Sequence, residues 1–77
     1  MRTYHLTVKL SDGNKITAKA RAATQAEEVH VEWSGAIDRL GALTTGKYDV
    51  GFLRWYLEAR ARQLGGEFEF HEQDNSE

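Results

Sequence analysis

Two neighbouring stretches alternate apolar and polar side chains with a period of two, and this doubled pattern constrains the fold more than any other feature of the chain. Tyr4, Leu6, Val8 and Leu10 interleave with Thr3, His5, Thr7 and Lys9, and Ile16, Ala18, Ala20 and Ala22 interleave with Thr17, Lys19 and Arg21. Successive strand side chains point to opposite faces, so each stretch predicts a half-buried β-strand. The turn-forming Ser11-Asp12-Gly13-Asn14 between them makes the pair a hairpin. Placing both apolar sets on one face sets Leu10 opposite Ile16, Val8 opposite Ala18, Leu6 opposite Ala20 and Tyr4 opposite Ala22. The loop is then Asp12-Gly13-Asn14, with Asn14 in the left-handed conformation. Large side chains on one strand face small ones on the other, leaving a trough for a helix.

Two helices are expected to fill it. Thr24-Gln25-Ala26-Glu27 is a capping box, and Ala26, Val29, Trp33, Ala36, Ile37 and Leu40 recur at helical spacing up to a glycine cap at Gly41. Gly35 falls inside this segment, where it costs about 1 kcal/mol relative to alanine and has no evident purpose. Asp49 caps a second helix, with Tyr48 and Leu53 as a hydrophobic staple and Gly65-Gly66 as its end. Glu67-Phe68-Glu69-Phe70-His71 alternates again and predicts a third strand with both phenylalanines inward. The fold class is α+β in the order β-β-α-α-β: a three-stranded sheet with two antiparallel helices packed on one face. One domain spans residues 1–72, and residues 73–77 form a disordered tail. Each helix reverses the chain, so the third strand is expected parallel to the first. The first strand, being the most apolar, suits the centre.

A chain of 77 residues has room for one small core, burying roughly 60% of the surface its unfolded form exposes. It contains no cysteine, which removes disulfides and thiolate metal sites and makes the cytoplasm the expected address. No apolar run has the length of a signal peptide or of the roughly 20 residues that span a membrane. The net charge of −2 is unevenly spread: +4 over residues 1–24, −3 over 25–46 and −3 over 47–77. The molecule should have a basic and an acidic side, and direct nucleic-acid binding should be weak at most.

The second predicted helix carries the strongest candidate site. Leu53, Leu57 and Leu64 share one face, Tyr56 and Ala61 flank it, and Trp55 lies furthest round, near Arg62 and Glu58. Trp55 either seals a seam between the helices or anchors a docking surface with Arg62 and Arg54, residue types enriched at interface hot spots. Arg60, amid the leucines, is expected to snorkel to the rim without a role. The exposed sheet face presents Lys9, Lys19 and Arg21 among hydroxyl side chains, suited to phosphates or an acidic protein. It lacks exposed aromatic side chains for base stacking, and Glu67 and Glu69 offset its charge. His5 and His71 beside Glu69 fall short of the three or four converging ligands of a metal site, and His30 reads as a partly buried structural histidine. Ser11, Ser34 and Ser76 have no histidine at motif spacing, and Gly41 to Gly46 lacks the lysine-serine pair of a phosphate loop. No catalytic, cofactor or metal residue is predicted.

A compact, acidic, cysteine-free chain without catalytic motif is similar in format to small inhibitors encoded by phages and mobile elements, including anti-CRISPR proteins. The resemblance implies a non-catalytic protein-binding module, monomeric or homodimeric, that occludes or regulates a partner, including a partner that itself binds nucleic acid. The alternatives are a weak nucleic-acid binder using the basic sheet face and a small subunit that homodimerises through the second helix.

Overall fold

The structure is a computed structural model and describes residues 1–74, the side chains of residues 41–43 excepted. Strand β1 (Arg2–Lys9) and strand β2 (Lys15–Ala22) form the expected hairpin. Its register differs: Val8 faces Ile16, Leu6 faces Ala18 and Tyr4 faces Ala20, a shift of two residues that keeps both apolar sets on one face. The loop is Ser11-Asp12-Gly13, closed by the Leu10 N–H on the Asn14 carbonyl (2.8 Å) and the Gly13 N–H on the Leu10 carbonyl (3.1 Å). Gly13, with φ of 91°, takes the left-handed position instead of Asn14, since it meets no Cβ penalty there. The Asp12 carboxylate accepts from the Asn14 N–H and from Arg39, and these bonds hold its pKa below the usual carboxylate range.

The expected pair of helices and three-stranded sheet is not what forms. Among the described residues there is one α-helix, α1 (Val50–Gln63), on a four-stranded antiparallel sheet, with a separate two-stranded sheet. The segment expected to be the first helix is instead an arm: strand β3 (Val29–His30), strand β4 (Glu32–Gly35), a 3-10 helix (Ile37–Thr45) that runs through the expected end at residue 41, and strand β5 (Lys47–Tyr48). Strand β4 pairs antiparallel with β2, placing Trp33 opposite Ala18 on the core side, and β3 pairs with β5.

Gly35 explains why a helix fails here. Its φ is +87°, and a Cβ would lie 2.0 Å from the Lys15 carbonyl oxygen, to which the next N–H, of Ala36, donates at 2.9 Å. That close approach docks the arm against β2 and is closed to any residue with a side chain. Val29 and Trp33, expected on a helical stripe, also fit a period of two with Val31 between them, and all three pack half-buried against the core.

Strand β6 (Glu67–Asp74) lies beside β1, so β1 sits between β2 and β6 in the order β4-β2-β1-β6. It runs antiparallel to β1, contrary to the parallel direction expected. The arm doubles back through β3 and β5 instead of crossing once as a helix, and this extra reversal delivers α1 and β6 in the opposite sense. Gln73 and Asp74, expected to begin a disordered tail, instead pair with Thr3 and Arg2; residues 75–77 lie outside the described part. Tyr4, Leu6, Val8, Ile16, Leu53 and Leu57 form the fully buried centre beneath α1.

Candidate docking face around Trp55

Helix α1 owes its start to Asp49, which sits in extended conformation and accepts from the Phe52 N–H at 2.9 Å. Gly65, with φ of 72°, and Gly66, whose N–H donates to the Ala61 carbonyl at 2.8 Å, end it. Val50, Leu53, Leu57 and Ala61 are buried against the sheet at spacings of three and four. With no second α-helix beside α1 among the described residues, its remaining apolar side chains meet the arm or solvent. Tyr48, Phe52 and Tyr56 stack in series, with ring centroids 5.4 and 5.8 Å apart. Trp55 stands next to Phe52 at 6.0 Å and is 67% exposed.

Trp55 therefore has no seam between helices to seal. It overhangs a groove of about 260 Å³ between α1 and β6, lined by Gly51, Arg54, Trp55, Glu58 and Phe68. Arg54 lies over the Phe70 ring, 4.2 Å from its centroid, and donates to Gln25 Oε1 at 3.2 Å. A guanidinium over an aromatic face is held by the ring quadrupole, so Arg54 forms a fixed wall. Arg62 projects into solvent about two turns on from Arg54, 3.7 Å from the Glu58 carboxylate. The structure brings Trp55 and Arg54 together and leaves Arg62 at the margin. Sequence reasoning missed Phe68 and Glu58 as lining residues. The inward alternation of Phe68 was legible, but its proximity to Trp55 depends on α1 lying over β6.

Lys9, Lys19 and Arg21 lie on the opposite face of the sheet. Lys9 pairs with Glu69 at 2.9 Å, and the hydrogen bond and charge of that carboxylate raise its pKa. Lys15, Lys19 and Arg21 of β2 are exposed and have no ion pair among the described residues. His5 and His71 face each other across the β1–β6 pair with rings 6.0 Å apart. No group of three potential metal ligands occurs among the described residues.

The expectations for His30 and Arg60 are corrected. His30 is exposed on β3, because the arm does not turn it inward as a helix would. Arg60 is half-buried and donates to the Arg39 carbonyl (2.6 Å) and to Gln63 Oε1 (2.8 Å), so it clamps the 3-10 helix to α1. No helix among the described residues is long and apolar enough to cross a membrane. Comparison with known proteins finds no matching family model, curated protein or solved structure.

Proposed function

We propose that this chain is a small non-catalytic module, acting in the cytoplasm, that binds a partner protein through the Trp55 face of α1 and occludes or regulates it. The observation that carries this reading is the exposure of Trp55 above a groove with a fixed arginine wall. Burying a large aromatic side chain is the strongest single contribution such a surface can make, and tryptophan and arginine dominate interface energetics. Inhibition by steric occlusion, the mode implied by the format of phage-encoded inhibitors, needs nothing more than such a surface on a rigid fold.

The test is an affinity capture from the native host with the parent and Trp55→Ala as baits. The bound protein should be lost with Trp55→Ala, at a cost of about 2 kcal/mol or thirtyfold in affinity, while the melting temperature stays within a few degrees of the parent. Equal capture by both folded baits would remove this face from consideration. A second reading rests on Lys15, Lys19 and Arg21 of β2, which have no ion pair among the described residues and form a basic row suited to phosphates. Sub-micromolar oligonucleotide binding in a mobility-shift assay at physiological salt would promote it over the first.

A further inference from the structure

The groove at Trp55 opens beside an unused strand edge. Strand β6 has β1 on one side, and among the described residues no strand lies on the other. The hydrogen-bond directions of this edge derive from the hairpin. Leu10 directs both its N–H and its carbonyl toward β2, so the even-numbered residues of β1 bond β2 and the odd-numbered ones bond β6. The Lys15 carbonyl, pointing outward to Ala36 beyond β2, has the same alternation. Through the pairs Lys9–Glu67, Thr7–Glu69 and His5–His71, the odd residues of β6 are spent on β1. The backbone groups of Phe68 and Phe70 therefore point away from the sheet, along the free edge.

These two residues also have their side chains on the helix side, Phe68 in the groove under Trp55 and Phe70 under Arg54. A strand added to this edge would bond Phe68 and Phe70 and direct the side chains opposite them to the same side, toward α1. The residue opposite Phe68 enters the Trp55 groove. At about 260 Å³ the groove falls below the roughly 300–1,000 Å³ of sites for whole small molecules, and it matches a single apolar side chain. The alternate residues of the added strand would face Glu67 and Glu69 on the outer face of the sheet.

The charge of the edge selects the occupant. Glu67, Glu69, Glu72 and Asp74 lie along β6; Glu69 pairs with Lys9 and Glu72 with Arg2, and Glu67 has no ion pair among the described residues. A second copy of this strand would place carboxylates against carboxylates, which destabilises a strand pair. A basic strand would meet opposite charge at the outer positions Glu67 and Glu69. We infer that β6 and the Trp55 groove accept an extended segment of a partner protein by strand addition, with a basic-apolar-basic core whose apolar residue opposes Phe68 and whose basic residues oppose Glu67 and Glu69. The inference rests on the Trp55 face being the docking surface and specifies what that surface takes.

The probe is the end-capped, fluorescein-labelled peptide Thr-Ile-Arg-Leu-Arg-Thr, written antiparallel to β6 so that its leucine opposes Phe68. Fluorescence anisotropy should show saturable binding, weakened at least tenfold by Trp55→Ala and by Glu67→Lys. N-methylation of the leucine nitrogen, whose N–H faces β6, should abolish binding. N-methylation of the first arginine, whose N–H faces away, should leave it within about threefold of the parent peptide, a change worth less than half of a tenfold affinity step in free energy. No saturable binding up to about 1 mM, a bound very weak by the standard affinity scale, overturns the inference. Equal binding by both methylated peptides with sensitivity to Trp55→Ala retains the docking face and overturns strand addition. A free protein that sediments as a dimer and refuses the peptide places a second copy on the edge and also overturns it.

Discussion

Asp49 and Thr24 both satisfy backbone donors as helix-capping residues do, yet only Asp49 precedes a helix. Asp49 accepts from the Phe52 N–H at 2.9 Å. Thr24 accepts from the Ala26 N–H at 3.3 Å and Glu27 reaches back to the Ala23 N–H at 2.8 Å, each one residue short of the bond a capping box requires, and the turn they close goes no further. The residues beyond the two caps differ. Leu53, Arg54, Leu57, Glu58, Ala59, Arg60, Ala61 and Arg62 are strong helix formers, whereas Val29, His30, Val31, Ser34 and Gly35 are weak ones. A cap lowers the cost of the first turn, and propagation is decided by residue type and by whether an apolar face finds a surface. Helix α1 finds the trough above β1 and β6, while the arm finds the free edge of β2.

The two regions should therefore fail differently when their anchors are cut. Leu57 is fully buried under α1 at the centre of the core, and Leu57→Ala should cost about 2 to 5 kcal/mol. A domain of this size has a reserve of only about 3 to 5 kcal/mol, so most of the protein should unfold. The natural probes are already in place, with Trp33 on the arm and Trp55 on α1. Urea melts of the two single-tryptophan variants carrying Leu57→Ala should coincide. An arm signal that survives the loss of the helix signal would make the arm an independent unit and break the comparison as drawn.

Gly35→Ala should act next in size and more locally. Its positive φ alone costs about 1 to 3 kcal/mol for a residue with a side chain, and the added Cβ must push the Lys15 carbonyl aside. Strand β4 should detach from β2 while the β1–β2–β6 sheet and α1 persist. Amide hydrogen exchange should then quicken at residues 32–36 and remain slow in β1. Wild-type protection across β4 would show that the docking of the arm does not depend on this contact.

The parts of the fold that were legible in the sequence are those in which one signal has one structural meaning. Alternation in Tyr4–Leu10, Ile16–Ala22 and Glu67–His71 can be satisfied only by strands, and the Asp49 cap leads, past Val50-Gly51-Phe52, into a segment rich in strong helix formers from Leu53 to Arg62. The segment after Thr24 carries a helix start, a spacing that fits both periods, and a glycine whose purpose lies in a carbonyl twenty residues away. No local rule reports that Gly35 must approach Lys15. The hairpin register was ambiguous for a similar reason, since a two-residue slip leaves every side chain on its own face and only the turn geometry at Gly13 decides. The docking residues divide along the same line: the position of Trp55 at the edge of the helix stripe was readable, but its pairing with Phe68 depends on the arm vacating the place of a second helix.

The smallest effects should come from the caps themselves, and they bear most directly on the comparison. Asp49→Ala removes the acceptor of the Phe52 N–H at the start of a helix that supplies the buried Val50, Leu53 and Leu57, and should cost about 1 kcal/mol. Thr24→Ala removes an equivalent bond from an exposed turn whose donors water can serve, and should cost less than about 0.5 kcal/mol. Asp49→Asn, which keeps a capping oxygen, should recover most of the loss at position 49, and Thr24→Asn should change nothing measurable. Chemical denaturation of the four variants separates the cases. Equal losses at the two positions would mean that the Thr24 turn carries tertiary weight through the Gln25 carbonyl, which accepts from the Gly51 N–H at 3.2 Å and so links the arm to the first turn of α1.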